Sequence, residues 1–139
     1  MVNIREAARA AITAYGLATE KGGNTSVPLQ EVAASLAAFY LTNFTSFTLG
    51  GSGIGTNIRP RGGRVEVVSA ESAICFVTFE IYPKTRKIDK WSWTNVYGFR
   101  LEQGRSNGLD GGWEFTNADQ EYESLLQRIP NFYAGGQVG

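Results

Sequence analysis

The longest regular alternation of apolar and polar positions lies between residues 89 and 102. Because successive side chains of a β-strand point to opposite faces, this pattern predicts a strand with one face that is almost wholly apolar. The residues on that face are Trp91, Trp93, Asn95, Tyr97, Phe99 and Leu101. An amide among aromatic side chains is typical of a pocket in which a few polar groups orient a mostly apolar molecule. The pattern indicates a pocket and leaves its occupant open.

Helical periodicity fills the first third of the chain. Apolar residues recur at helical spacing over residues 3–20, where Asn3 and Glu6 have the spacing of a capping box. A second apolar stripe predicts a helix over residues 28–43, with Pro28 in its first turn. The residues of this second stripe are Leu29, Val32, Ala33, Leu36, Phe39 and Tyr40. The chain therefore begins with two amphipathic helices.

Strand-like patterns follow the helices, separated by segments rich in glycine. β-Branched and aromatic residues predict a short strand over residues 44–49, and the glycines and proline of residues 50–63 predict a loop. Alternation predicts further strands over residues 64–69, 73–83, 89–103 and 112–116. In the last of these strands, Trp113 and Phe115 are expected on one face. These segments predict an antiparallel meander.

A last helix is predicted after the meander. Asn117 is placed to cap it, with Gln120 as the capping-box partner and Pro130 at its end. Its predicted apolar stripe is Tyr122, Leu125, Leu126 and Ile129. The order of elements defines an α+β domain with helices packed on one face of a sheet. We expect a single domain over residues 1–133 and a flexible tail over residues 134–139.

Composition argues against several kinds of chemistry. Lysine plus arginine equals aspartate plus glutamate, so no broad electrostatic field attracts nucleic acid or an anionic membrane. Histidine is missing, which excludes Ser–His and Cys–His nucleophilic pairs and His-ligated zinc. The one cysteine, Cys75, lies in an apolar run and is expected to pack in the core. We therefore expect neither a metal site nor a cofactor.

Targeting signals are not recognisable in the sequence. No apolar run is long enough to span a bilayer, and the first residues lack the basic-then-apolar order of a secretion signal. The expectation is a cytoplasmic protein with no membrane partner.

Four segments together resemble a known family. They are residues 37–47, residues 64–73, residues 91–100 and residues 112–115, with Glu121-Tyr122 extending the likeness. In these segments the chain is similar to fungal-type members of the SnoaL-like family, within the nuclear transport factor two-like superfamily. The resemblance covers most of residues 1–133. It implies a cone-shaped α+β fold, with N-terminal helices on a curved antiparallel sheet, a C-terminal helix and a cavity at the wide end.

The expected pocket combines residues from several elements, namely Tyr15, Tyr40, Trp93, Asn95, Tyr97 and Trp113. Core packing and pocket lining are equally compatible with Trp93 and Tyr97. Asn95 either pairs with a buried partner, such as Tyr15 or Tyr40, or contacts water or a ligand carbonyl. Catalytic members of the superfamily place an aspartate, or an Asp–His pair, in the cavity. This chain departs from them, since it offers only Asn95 on the inner face of the aromatic strand.

Acidic and basic side chains are predicted to lie outside the pocket. On the strands, Glu66, Glu80 and Glu114 are expected to point outward. On the last helix, solvent or the N-terminal helix dipole is the expected partner of Asp119, Glu121 and Glu123. In the predicted glycine loop, Arg59 and Arg61 are expected to be solvated charges, with anion binding over the cavity mouth as the alternative.

Two functions stay open at this point. One is the binding of an apolar small molecule, with or without a cofactor-independent cyclase, isomerase or dehydratase reaction of secondary metabolism. Tyrosine and asparagine hydrogen bonds would then polarise a carbonyl or hold an enolate. The other is a non-catalytic ligand carrier or dimerising scaffold of the same fold. The resemblance also implies a homodimer through the outer face of the sheet, which carries Ser92, Thr94, Val96, Phe76 and Thr78.

Overall fold

The chain folds as an α+β domain, as the order of predicted elements indicated. The computed structural model describes residues 2–22, 29–41, 57–83, 87–105, 107–128 and 130, and the statements below apply to these residues. Its elements are α1 (Ile4–Gly22), α2 (Leu29–Ala37), β1 (Asn57–Val67), β2 (Ser72–Tyr82), β3 (Trp91–Leu101), β4 (Gly111–Asn117) and α3 (Asp119–Arg128). The four strands form one antiparallel sheet in the order β1-β2-β3-β4. Two N-terminal helices pack on this sheet, and a C-terminal helix follows it.

Helix α1 begins at the predicted cap. Asn3 Oδ1 accepts hydrogen bonds from the backbone N–H groups of Arg5, at 2.9 Å, and Glu6, at 3.2 Å. These bonds satisfy donors that have no partner within the helix. The face of α1 against the sheet consists largely of alanine, with Tyr15 near its end. Small side chains let the helix lie close to the strands, so that Tyr15 reaches the inner face of the sheet.

Helix α2 is shorter than predicted. It ends at Ala37, and the prediction of helix over residues 38–41 is wrong. The backbone there bonds to β4 instead, since Trp113 N–H donates to Phe39 O at 2.7 Å and Leu41 N–H donates to Trp113 O at 2.9 Å. Tyr40 thereby forms a parallel bridge with Trp113. The strand predicted over residues 44–49 lies outside the described residues.

Strand β1 begins well before the predicted strand. Residues 57–63, which the sequence assigned to a loop, pair with β2, and the strand ends at Val67. Pro60 is tolerated because β1 is the first strand in the sheet order, with β2 as its strand neighbour in the described residues. The register shifts between Pro60 and Gly62, where Gly62 adopts a φ of 142°. A bulge with glycine at this point keeps the strand paired.

The alternation predicted for the two central strands is confirmed. In β2, the side chains of Cys75, Val77, Phe79 and Ile81 are buried, and those between them are partly exposed. In β3, Trp91, Trp93, Asn95, Tyr97 and Phe99 are buried and Leu101 at the end is partly buried. Of the residues between them, Ser92 is exposed, Thr94 and Val96 are partly exposed, and Gly98 is buried. This inner face packs against α1, and the apolar core lies between them.

Strand β4 contains a bulge that changes its inward residues. Gly98 pairs with Phe115, but the next residue, Phe99, pairs with Trp113, so Glu114 is extra. Trp113 is fully buried, whereas Phe115 is 47% exposed, and the prediction that they share a face is wrong. The Phe115 ring occupies the space on the outer face where a Cβ of Gly98 would be.

Helix α3 packs beside the first half of β3, which β4 does not pair with. Asn117 Oδ1 caps it by accepting the N–H of Asp119 at 3.0 Å. The predicted capping-box partner, Gln120, instead accepts the backbone N–H of Thr94 at 2.9 Å, since β4 pairs only with the second half of β3. Leu125 is fully buried, but Tyr122 is 51% exposed, so Tyr122 was wrongly assigned to the buried stripe. The side chain of Ile129 lies outside the described residues.

Membrane insertion through a helix has no support in the described ranges. None of their helices has both the length and the apolar character that a membrane span requires.

Candidate functional site

The six predicted pocket residues all lie in the buried interior. Tyr15 comes from α1 and Tyr40 from the segment after α2, while β3 supplies three of them and β4 supplies Trp113. Tyr15 lies at the centre, with its ring centroid 5.0 Å from that of Tyr97 and 5.6 Å from that of Trp113. Tyr97 and Trp113 stack at 4.9 Å. Trp93 lies further along β3 and contacts Trp91, at 6.0 Å between centroids. The structure thus forms a buried aromatic cluster from residues far apart in sequence.

Tyrosine hydroxyls connect this cluster to the end of β4. Tyr15 OH and Tyr40 OH are 3.2 Å apart, and Tyr40 OH is 2.9 Å from Thr116 Oγ1. The bulge in β4 explains the role of Thr116, because strict alternation from Trp113 would have put Thr116 on the outer face. Thr116 is itself an exposed residue. The chain of hydroxyls therefore runs from the buried interior towards the surface.

Asn95 joins β3 to α3. Its Nδ2 donates to Tyr97 OH at 3.1 Å and to Glu121 Oε1 at 2.9 Å. Both amide hydrogens are thus used, and these two acceptors fix the orientation of the amide. Nδ2 therefore bonds to Tyr97, two residues along the same face, and to Glu121, and not to the expected partners Tyr15 and Tyr40. Asn95 Oδ1 is buried and accepts no hydrogen bond from any described residue.

Glu121 is the main site residue that the sequence prediction missed. It was expected to face solvent, but its half-buried carboxylate reaches Asn95. The available signal was Leu125, which lies four residues later and is fully buried, so that Glu121 is on the same face of α3. The sequence pattern assigned Tyr122 to that face instead, and Glu121 was therefore expected to face solvent. We call Tyr15, Tyr40, Asn95, Tyr97, Thr116 and Glu121 the inner polar cluster.

The strand carboxylates Glu80 and Glu114 point away from this cluster, as predicted. Glu80 pairs with Arg61 at 3.1 Å, and Glu114 pairs with Arg100 at 2.5 Å. Arg61 is therefore a paired strand residue and not a loop residue, although its side chain is 54% exposed, as expected for a solvated charge. Arg59, also on β1, lies over the ring of Tyr82 at 4.9 Å. Arg59 thus has an aromatic partner through a cation–π contact, and Arg61 has a carboxylate partner, so neither position requires a bound anion.

Burial sets the protonation of the tyrosines. It raises the pKa of Tyr15 and of Tyr97 well above the ordinary value. The negative charge of Glu121 raises the pKa of Tyr97 further, whereas the pKa of Tyr15 is raised further mainly by Tyr97 and Tyr40, with Glu121 adding least. The pKa of Tyr40 is also raised, again mainly by burial. The three hydroxyls therefore remain protonated at neutral pH. They can donate hydrogen bonds, and the carboxylate oxygens of Glu121 can accept them, as Oε1 does from Asn95.

Three buried polar atoms on the inner face have no hydrogen-bond partner among the described residues. They are Asn95 Oδ1, Trp93 Nε1 and Trp113 Nε1. In contrast, Trp91 Nε1 donates to Ser124 Oγ at 3.0 Å. A buried polar group left without a partner costs about 1–3 kcal/mol, so each is a place where an added molecule could bind favourably. Together these atoms offer two donors and one acceptor.

Neither a thiol nucleophile nor a metal centre is found in the described ranges. Cys75 is fully buried, and burial raises its pKa to about 12, which leaves it a core residue as expected. No group of three histidine, cysteine, aspartate or glutamate residues there is arranged to hold a metal ion.

Comparison of the chain with protein family models, with curated proteins and with solved structures found no match in any of the three. The class of the protein is therefore defined by its architecture. It is an α+β domain whose inner sheet face carries a buried aromatic cluster and a carboxylate–amide–tyrosine network.

Proposed function

We propose that this protein binds a small, mostly apolar molecule at the inner polar cluster, as a diverged SnoaL-like domain of the nuclear transport factor two-like superfamily. The observation that carries the proposal is the set of unpartnered polar atoms on the inner face, above all Asn95 Oδ1. Asn95 is 3% exposed and lies between Trp93 and Tyr97 on the inner face of β3. A ligand that pairs with this atom would remove the cost of its burial and gain apolar contact.

The architecture supports the family proposal. Two helices precede a four-stranded antiparallel meander, and a helix follows it, which is the order that the sequence resemblance implies. The inner cluster forms where α1, the segment after α2, β3, β4 and α3 meet. Aromatic side chains with a few polar groups among them are typical of the lining of small-molecule sites.

A reaction at this cluster would require no cofactor. In such a reaction the Glu121 carboxylate would take a proton, and the tyrosine hydroxyls would stabilise negative charge on a carbonyl oxygen. An isomerase, cyclase or dehydratase of secondary metabolism would use these groups. A carboxylate in the cluster removes one argument for a purely non-catalytic domain, since the sequence alone had suggested that the inner face carried none.

A dimerising scaffold is the second candidate, and the outer face of the sheet favours it. Phe115 is 47% exposed there, on the face that also carries the partly buried side chains of Phe76 and Val96. Thr78 and Thr94 bond to each other at 2.7 Å, which reduces the polarity that the face presents to a partner. A second copy of the chain on this face would bury Phe115.

A ligand screen separates the two candidates. We expect polyketide-, terpenoid- or steroid-like compounds to include one that raises the melting temperature and changes the tryptophan fluorescence. Asn95→Ala should abolish both effects, while the matched outer-face variant Phe115→Ala should retain them. A silent screen, with sedimentation showing a dimer that Phe115→Ala dissociates, would refute ligand binding and support the scaffold.

A further inference from the structure

The polar end of the ligand can be inferred from the acceptors in the inner polar cluster, if the proposed function holds. Both hydrogens of Asn95 Nδ2 are committed to Tyr97 OH and Glu121 Oε1. The amide can therefore offer a ligand only its oxygen, which is buried and has no partner among the described residues. An oxygen acceptor of this kind requires a donor from the ligand.

The negative charge of Glu121 in the inner polar cluster also favours a ligand that carries a hydrogen-bond donor. Glu121 bonds to the same amide, and its negative charge acts on the hydroxyls of Tyr15, Tyr40 and Tyr97. Like charges repel strongly where water is largely excluded. A ligand carboxylate near Asn95 Oδ1 would meet both this charge and the amide oxygen, whereas a hydroxyl or an ammonium group would meet acceptors.

We propose that the site selects an apolar molecule whose polar end is a hydrogen-bond donor, either an alcohol or a primary amine, and rejects the carboxylate of the same hydrocarbon body. Asn95 Oδ1 accepts the hydrogen bond from the ligand, and Glu121 holds the amide in the orientation that presents this oxygen. Trp93 and Trp113 flank the body of the ligand along the inner face. Selectivity thus depends on two side chains that come from different elements, β3 and α3.

Calorimetric titration with matched probes tests this inference. Naphthyl, adamantyl and n-octyl bodies would each carry a hydroxymethyl, an aminomethyl or a carboxylate end at neutral pH. We expect the alcohol or the amine of at least one body to bind, with the matching carboxylate weaker by roughly tenfold or more. The preference between alcohol and amine shows whether hydrogen bonding or charge dominates.

Glu121→Gln supplies the matched variant, because a glutamine oxygen can still accept from Asn95 Nδ2 while the charge is removed. We expect this variant to bind the carboxylate more tightly and the amine more weakly, with the alcohol changed by less than roughly threefold. If Glu121→Gln does not fold, the order of affinities in the native protein alone decides.

Two outcomes would overturn the inference, and they differ in what they imply for the proposed function. A carboxylate that binds as tightly as its matched alcohol and amine would refute the donor preference and leave ligand binding intact. If none of the probes binds, on any of the hydrocarbon bodies, the proposed function fails and the inference fails with it.

Discussion

For Asn95, the sequence predicted the inward position of the side chain but not its hydrogen-bond partners. The alternation of β3 predicted its inward position correctly, because a strand period depends on sequence alone. Its bond to Glu121 depends on how α3 packs against β3, which no local pattern encodes. The sequence therefore predicted the inward position of the amide and missed the carboxylate that bonds to it.

The bonds of Asn95 give a first prediction. Asn95→Ala removes the donor to Tyr97 OH and to Glu121, and we expect it to lower the free energy of unfolding by about 1–3 kcal/mol. Urea denaturation followed by circular dichroism measures this. Thr78→Val is the control, since it removes a hydroxyl pair on the partly exposed outer face and should cost less. Equal losses in the two variants would argue against a special role for the amide network.

Among the elements, the strands and helices with strong periodicity were predicted well. The errors are concentrated where a contact between elements overrides a local preference. β1 contains glycine and Pro60, yet pairs with β2 because an end strand tolerates both. The bulge in β4 turns Phe115 outward and Thr116 towards Tyr40, and strict alternation cannot predict such an insertion.

Two glycines on neighbouring strands give a prediction at this scale. A Cβ at Gly112 would lie 2.5 Å from the backbone oxygen of Phe39, whereas one at Gly98 would meet the ring of Phe115, which is half-exposed and can move. We expect Gly112→Ala to destabilise the protein by about 1–3 kcal/mol through overpacking. It should also displace Tyr40 by disturbing the bridge to Trp113.

The matched variant Gly98→Ala should cost less, because a side chain yields more easily than backbone. Urea unfolding curves of both variants provide the comparison. If Gly98→Ala were the more destabilising of the two, the close approach of β4 to the segment after α2 would not be the tighter contact that the structure describes.

For the whole molecule, the buried tyrosines make the free energy of unfolding depend on pH in the alkaline range. Burial raises the pKa of Tyr15 and Tyr97 above the ordinary value of 10.0. Above pH 10.0 the unfolded chain releases protons that the folded chain retains, so stability is present below this pH and lost as pH rises. The slope is about 1.4 kcal/mol per pH unit for each such tyrosine.

Urea unfolding at a series of alkaline pH values measures this slope directly. Tyr97→Phe removes one of the titrating groups and should make the slope shallower by the contribution of one tyrosine. Ultraviolet titration should show the phenolates of Tyr15 and Tyr97 forming only as the protein unfolds. Ionisation of both in the folded protein near the ordinary pKa would contradict the burial of the cluster.

The central claim, that the inner polar cluster binds a small molecule, is tested most directly by nuclear magnetic resonance of side-chain N–H groups. The chain has three tryptophans, so each indole N–H gives its own signal. On titration with the naphthyl, adamantyl and n-octyl alcohols and amines, we expect at least one to give saturable shifts at Trp93, Trp113 and the Asn95 amide. Trp91, whose N–H already bonds to Ser124, should shift least. The absence of shifts with every alcohol and every amine, or shifts confined to the outer face around Phe115, would contradict the account.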